Sequence, residues 1–274
     1  MRLQSTNPAF NSEVLRGGDW WSQARTETAS VSGVINKTGI FGLVFALAGA
    51  GGWAATQHLA IVSPGLLWGA NILALVGVLG TFFFLRGSAR AAKWGGFIYS
   101  ALQGFLIGGL AFGMTTMLAA RGIEPAIAGG LVLQAFVITV AILLAMLGIY
   151  KAGILKGGKT FTTVVSVATL GVFITYLASF ALSFFGVTLP FISLGSAFAD
   201  PTSAMIGLGL NIAILILAAL WLVIDFRTVE DLVASGAPRD AEWYAAFGLI
   251  VTLGWIYLES LKLVFRIAAM SGRD

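Results

Sequence analysis

Seven long apolar stretches constrain this chain more than any other feature of its sequence. Each is about 20 residues long, the length that crosses the hydrocarbon core of a bilayer as an α-helix. They cover residues 39–58, 65–85, 95–117, 128–150, 161–185, 205–226 and 245–268. Hydrophobic residues make up 58% of the 274 residues and charged residues only 10%, too few for the exterior of a soluble protein of this size. We therefore predict an all-α membrane protein with seven transmembrane helices.

The segments outside these stretches are short and polar. The connections cannot hold a soluble domain, so we expect residues 37–274 to form one transmembrane domain. Residues 1–36 mix charges, glycines and small polar side chains, which favours an N-terminal arm in the cytoplasm. No apolar core follows Arg2, so a cleavable signal peptide is not expected.

Basic residues predict the orientation of the helices in the membrane. The connections on the N-terminal side of the bilayer hold eight of them: Arg86, Arg90, Lys93, Lys151, Lys156, Lys159, Arg227 and Arg239. The opposite connections hold only Arg121. Because basic residues collect on the cytoplasmic side, the N-terminus is expected in the cytoplasm. An odd number of crossings then places the C-terminus outside, and we expect the membrane to be a bacterial plasma membrane.

Composition excludes several classes of site. The chain has no cysteine, which excludes disulfides, thiolate metal ligands and cysteine nucleophiles. Its single histidine, His58, cannot form a histidine-based metal site or a catalytic triad alone, and we expect it in a solvated loop near the outer interface. A dispersed net charge of +4 does not indicate nucleic-acid binding. We expect no cofactor, and the lipid bilayer as the principal partner.

The last apolar stretch carries charged side chains at bilayer depth. Five residues recur there at spacings of three and four and so share one helix face: Thr252, Trp255, Glu259, Lys262 and Arg266. A carboxylate at the bilayer centre costs at least about 2.5 kcal/mol, so Glu259 should face the protein interior or a wet cavity. This favours a central seventh helix surrounded by the other six. The alternative is a buried structural ion pair of Glu259 with Lys262 or Arg266.

The sixth stretch carries a second candidate carboxylate. Asn211 and Asp225 lie on one stripe of the sixth helix, and the helical pattern continues past Asp225 to about Val233. Asp225 is therefore expected on a helix, near the cytoplasmic boundary. The alternative interpretation is a solvated boundary carboxylate without a function.

Other polar and small residues favour helix packing over chemistry. We expect interhelical hydrogen bonds from Asn71, Gln103, Gln134, Thr139 and Thr175. Small residues at four-residue spacings predict close helix approach in the first and third helices: Gly42, Ala46 and Ala50, then Gly104 with Gly108 and Gly109 with Gly113.

Two carboxylates on neighbouring helices would form a site with distinct chemistry. If Asp225 and Glu259 lie close together, they could share a proton, because both cannot remain charged at short range in a low dielectric. They could also attract calcium, which prefers carboxylate oxygens. The pair would suit an intramembrane aspartyl protease too, but no G-x-G-D surrounds either residue. With straight helices the two lie at different depths, so they meet only through a cytoplasmic funnel or a deeper sixth helix.

Several segments resemble those of a known family. They are NPAF in the N-terminal arm, IYKAGILK followed by FTTVV, IDF at the end of the sixth stretch, and GAPRDAEWYAAFGLIVTLGWIYLESLKL. On these motifs the chain resembles the bacterial Bax inhibitor-1-like branch of the transmembrane Bax inhibitor motif family. The resemblance covers essentially the whole chain and is most specific over residues 225–263.

The resemblance implies a fold, a function and site residues. It implies six helices around a central seventh, and a pH-sensitive calcium leak across the membrane. The proton-sharing acidic pair of the family falls on Asp225 in IDF and Glu259 in IYLES. An arginine that latches this pair would fall on Arg86 or alternatively on Arg90.

The chain departs from the family pattern in three places. Glu259 stands where the better-known members have aspartate, and the connection between helices six and seven is longer. Gln103 stands where we expect many relatives in this branch to have glutamate, and loss of that charge could reduce or abolish cation conduction.

We therefore predict a pH-sensitive, calcium-permeable leak channel and not an enzyme. Asp225 and Glu259 would gate this channel and would attract calcium ions and protons. Further polar residues would line the path or the polar face of helix seven: Thr252, Lys262, Arg266, Asn211 and Gln103. The alternative is a non-conducting stress or quality-control membrane protein that regulates partners such as membrane proteases. Its working surfaces would be residues 1–36 and the charged loop 227–242.

Overall fold

A computed structural model describes residues 28–85, 91–123, 130–187, 189, 192–198 and 200–272. Within these residues the fold consists of seven membrane-length α-helices and one short 3₁₀ helix, Leu194–Phe198. The long helices are α1 Val31–Val62, α2 Pro64–Leu85, α3 Ala92–Ala119, α4 Leu131–Lys151, α5 Lys159–Ser183, α6 Pro201–Ala234 and α7 Ala241–Ser271. The predicted all-α fold with seven spanning helices is confirmed.

Most helices extend past the apolar stretches that predict them. Helix α1 begins at Val31, so the last residues of the predicted arm are helical, and the rest of the arm, up to residue 27, lies outside the described residues. Ser30 caps this helix by accepting a hydrogen bond from the Gly33 N–H at 3.0 Å. Helix α6 ends at Ala234, as the predicted continuation past Asp225 requires.

Asp200 fixes the start of α6. Its carboxylate accepts a hydrogen bond from the Ser203 N–H at 3.0 Å, and Pro201 occupies the first turn of the helix, where its missing N–H costs nothing. Hydrogen bonds from Ser203 hold the pKa of Asp200 below its usual value, since they favour the charged carboxylate.

Helix α7 lies at the centre of the bundle, as predicted. It packs against α1, α3, α4 and α6, whereas α2 packs on α3 and α1, and α5 packs on α6. Within the most apolar 18-residue window of each helix, 61% of α7 is buried but only 6% of α2 and 6% of α5. The charged residues of α7 are therefore shielded from lipid by the surrounding helices.

Glycines bring α1 and α3 into backbone contact. A Cβ atom at Gly108 would overlap the carbonyl oxygen of Gly49, and one at Gly52 would overlap that of Phe105. The prediction of close approach is right for Gly104, Gly108 and Gly109, where a Cβ atom would overlap an atom of α1. It is wrong for Gly42 and Gly113, where a Cβ would meet nothing within 4 Å, because those glycines face away from the contact.

The connection between α6 and α7 is short and held by the N-terminal segment. Only residues 235–240 separate the two helices, and Gly236 turns the chain there with a φ of 67°. The Ala29 N–H donates to the Ala237 carbonyl at 2.7 Å, next to an antiparallel bridge between Thr28 and Pro238. The predicted charged loop 227–242 is therefore wrong, since most of it belongs to α6 and α7.

Candidate functional site

Asp225 lies inside the bundle and not at its edge. Its side chain is fully buried on α6, and the Thr252 hydroxyl of α7 donates to Oδ2 at 2.5 Å. Helix α6 continues to Ala234, and α7 begins about three turns before Thr252, so both helices extend past this contact. The interpretation of Asp225 as a solvated boundary carboxylate is therefore wrong.

Glu259 is the second buried carboxylate of the α6–α7 interface, with 1% of its surface exposed. Its Oε1 accepts a hydrogen bond from Lys262 Nζ at 2.6 Å. Its Oε2 accepts one from Asn211 Nδ2 at 2.7 Å, and the same amide nitrogen donates to the Glu259 carbonyl at 3.2 Å. Both carboxylate oxygens therefore have partners, one on α7 itself and one on α6.

The two carboxylates occupy the same interface at different levels. Thr252, which donates to Asp225, precedes Glu259 by about two turns of α7, or about 10 Å along the helix axis. The sequence suggested that the two carboxylates could meet only through a cytoplasmic funnel or a deeper sixth helix. Both helices run past Asp225 toward their connection, so Asp225 lies deeper than the helix end at which the sequence placed it. That Asp225 and Glu259 share a proton stays a prediction.

The C-terminal part of the polar face of α7, beyond Glu259, contacts α5 and the 3₁₀ helix. Lys262 Nζ donates to the Tyr176 hydroxyl at 2.9 Å and lies 5.1 Å from the centre of that ring. Arg266, 3% exposed, donates to Ser196 Oγ at 2.9 Å and to the Ser193 carbonyl at 3.2 Å. A small open cleft reaches this region, and Tyr176, Asn211, Lys262 and Arg266 are among the residues that line it.

Gln103 lies on the opposite side of α7 from this face. Its amide packs against the backbone of Gly254, where a Cβ atom would overlap it. Its Oε1 is buried and has no hydrogen-bond partner among the described residues. Gln103 therefore contacts the central helix at Gly254, away from the helix face that carries Glu259.

Four weaker expectations are wrong in detail. Asn71, Thr139 and Thr175 donate to carbonyls of their own helices, four residues earlier, and not to a neighbouring helix. His58 is exposed as expected, but it lies within α1 and not in a loop.

The predicted arginine latch and the predicted calcium ligands both stay predictions. Arg86 and Arg90 lie outside the described residues, so the latch stays a prediction. Across the described parts of the chain, no group of three or more histidine, cysteine, aspartate or glutamate side chains gathers to hold a metal ion. That Asp225 and Glu259 bind calcium stays a prediction.

Sequence reasoning missed a third buried carboxylate, Glu242. It lies in the first turn of α7 with 2% exposure, pairs with Lys37 of α1, and accepts hydrogen bonds from the Ser30 N–H at 2.8 Å and hydroxyl at 3.1 Å. A Cβ atom at Gly33 would overlap its carboxylate. Lys37, in the second turn of α1 and just before the first apolar stretch, was the available signal, but no pattern identified its partner.

Comparison with known proteins supports one family. A family model described as Bax inhibitor 1 like matches residues 7–269, which include α1 to α6, nearly all of α7 and all three buried carboxylates. Searches of curated proteins and of solved structures gave no significant match.

Proposed function

The chain belongs to the Bax inhibitor 1 like family of membrane proteins, and we propose that it forms a pH-sensitive, calcium-permeable leak pathway. The pathway would follow the α6–α7 interface, with Asp225 and Glu259 as its acidic groups. We also propose that the chain lies in a bacterial plasma membrane with its N-terminus in the cytoplasm.

One observation carries the proposal: two carboxylates lie in a single helix interface with 0% and 1% of their surface exposed. Ionisable groups are costly within a membrane and are retained mainly where ions or protons move or where a charge is sensed. Carboxylate oxygens are also the ligands that calcium prefers. Asp225 and Glu259 thus supply both the proton acceptors and the cation ligands that a pH-sensitive leak needs.

Protonation would act on the packing of α6 against α7. Thr252 donates to Asp225 and Asn211 donates to Glu259, so each carboxylate accepts a hydrogen bond across this interface. Hydrogen bonds to a charged oxygen are about twice as strong as neutral ones. Falling pH would weaken both links and let α6 shift on α7, with Arg86 as the proposed latch of the closed state.

Lys262 and Arg266 would form a barrier in the outer half of this pathway. They lie one turn apart on α7, and both line the cleft beside Asn211. Two positive charges against the single charge of Glu259 disfavour free passage of cations at neutral pH. The resting protein would accordingly leak little calcium.

Calcium flux into proteoliposomes between about pH 5 and pH 8 tests the proposal. The unmodified chain should show flux that rises as the pH falls, and Asp225→Asn and Glu259→Gln should each lose most of that dependence. Asp200→Asn is the matched control, because it makes the same change at an exposed carboxylate outside the helix interface. Flux that is the same in all four proteins across the range would overturn the proposal.

A specific contact also favours the second candidate, a stress or quality-control protein that regulates membrane proteases. Thr28, the first described residue, pairs with Pro238, so the N-terminal arm joins the bundle beside the α6–α7 connection. The arm and the short α6–α7 connection, residues 235–240, would then form one working surface. Deletion of residues 1–27 leaves Ser30 and Lys37 in place and should abolish partner binding under this candidate but preserve calcium flux under the first.

A further inference from the structure

We propose that Glu259, Asn211 and Tyr176 form a cation-binding site within the bundle, and that the ammonium group of Lys262 is its resident cation. A free cation would then bind only when Lys262 leaves. The inference rests on the proposed function in placing a cation at Glu259, but it makes Lys262 a competitor for the same ligands, which is distinct from its part in the barrier.

The position of the Lys262 ammonium resembles that of a bound ion. Nζ lies 2.6 Å from Glu259 Oε1 and 2.9 Å from the Tyr176 hydroxyl oxygen, which come from two different helices. One oxygen is anionic and the other neutral, and both are ligands that hard cations accept. Lys262 is 14% exposed, so the ammonium has exchanged most of its water for these protein groups.

Asn211 supplies an oxygen that the ammonium does not use. Its side chain is 4% exposed, and Oδ1 has no hydrogen-bond partner in the described part of the chain, whereas Nδ2 is bound to Glu259. A buried amide oxygen without a donor is unfavourable, and a cation beside Glu259 would give it a partner. The site therefore offers more ligands than Lys262 occupies.

The same residues border a route to solvent. Tyr176, Asn211 and Lys262 all line the small cleft between α5, α6 and α7, so the groups that hold the Lys262 ammonium lie at an indentation of the bundle through which we propose that a cation enters. Arg266 lines the cleft as well, and its charge would oppose entry. Removal of the Lys262 charge leaves one positive group and one carboxylate at the site, which should admit a cation.

Calcium titration of the purified full chain in detergent, followed by isothermal calorimetry, tests the inference. Lys262→Met removes the charge and should bind calcium at least about tenfold more tightly than the unmodified chain. Lys262→Arg keeps a cation in place and should match the unmodified chain. The Lys262→Met, Glu259→Gln double variant removes a ligand and should lose the gained binding.

A second variant covers the case in which Lys262→Met does not fold. Lys262→Gln carries a neutral donor for Glu259 and should also gain calcium binding, with a higher unfolding temperature when calcium is added. Equal affinity in the unmodified chain and in every folded neutral variant would overturn the inference, as would binding that persists in the double variant. Because binding is measured without a membrane, loss of flux alone would overturn only the leak.

Discussion

Helix α7 contributes one buried glutamate to each of two Glu–Lys pairs, and the pairs differ in what they join. Glu242, at the start of the helix, pairs with Lys37 of α1, 205 residues away, and also accepts hydrogen bonds from Ser30. Glu259 pairs with Lys262, three residues further along the same helix. The first pair holds two helices and the N-terminal segment together, whereas the second joins α7 to itself.

The difference indicates which pair is structural. Burying two charges costs desolvation whether or not the pair connects two elements. The Glu242–Lys37 pair offsets that cost by fixing α1 on α7. The Glu259–Lys262 pair lies within α7 and does not itself join two helices, although hydrogen bonds with Asn211 and Tyr176 connect it to α6 and α5. We therefore interpret Glu242 as a structural group and Glu259 as a functional one.

The largest expected effect comes from breaking the structural pair. Glu242→Ala leaves the Lys37 ammonium and the Ser30 N–H without their acceptor and should lower the free energy of unfolding by about 3–5 kcal/mol. Unfolding of the purified chain in detergent by added SDS measures this change. Lys37→Met combined with Glu242→Gln should cost less than the two single changes added together, because the pair is removed as a unit. If Glu242→Ala lowers the free energy of unfolding by less than about 1 kcal/mol, the value of a surface ion pair, then Glu242 is not the structural group that we infer.

A glycine substitution tests the structural role of Glu242 without removing a charge. In Gly33→Ala the new methyl group would displace the Glu242 carboxylate and weaken its hydrogen bonds, which should cost about 1–2 kcal/mol. Gly39→Ala is the matched control on α1, because a Cβ there meets nothing within 4 Å and alanine favours a helix. If both variants unfold at the same SDS concentration, the carboxylate is not held as tightly as its contacts indicate.

The smallest expected effect on stability concerns Asp225, the other buried carboxylate of the proposed pathway. Thr252→Val removes the hydroxyl that donates to the carboxylate while keeping the side-chain shape, and should cost about 1 kcal/mol. Because that hydrogen bond joins α6 to α7 at the proposed gate, its loss should change the dependence of calcium flux on pH. A pH profile that does not move, in a folded variant, would separate Asp225 from the gate.

Sequence alone predicted the helices and their faces but not their register. The apolar lengths identify seven spans, and spacings of three and four place Thr252, Glu259, Lys262 and Arg266 on one face. Such spacings indicate which face of a helix points toward its neighbours. They do not indicate how far one helix is shifted along its axis relative to the next. The contacts of Asp225 with Thr252 and of Asn211 with Glu259 depend on how far α6 slides past α7, so only the structure shows them.

The Glu242–Lys37 pair was not predictable for a different reason. Glu242 follows several charged residues before the last apolar stretch, and a carboxylate there is ordinarily solvated. Its burial depends on residues 28–30, which cover the start of α7 and come from the other end of the chain. Partners so far apart in sequence leave no local pattern.

The most direct test of the account applies one substitution to both glutamates. Glu259→Gln and Glu242→Gln remove the same charge from two buried sites of α7. Calcium flux is measured at matched amounts of folded protein between about pH 5 and pH 8. We predict that Glu259→Gln loses most of the pH dependence, whereas Glu242→Gln keeps it and is the less stable protein. Unchanged flux in Glu259→Gln, or loss of pH dependence only in Glu242→Gln, would contradict the assignment of Glu259 to the pathway.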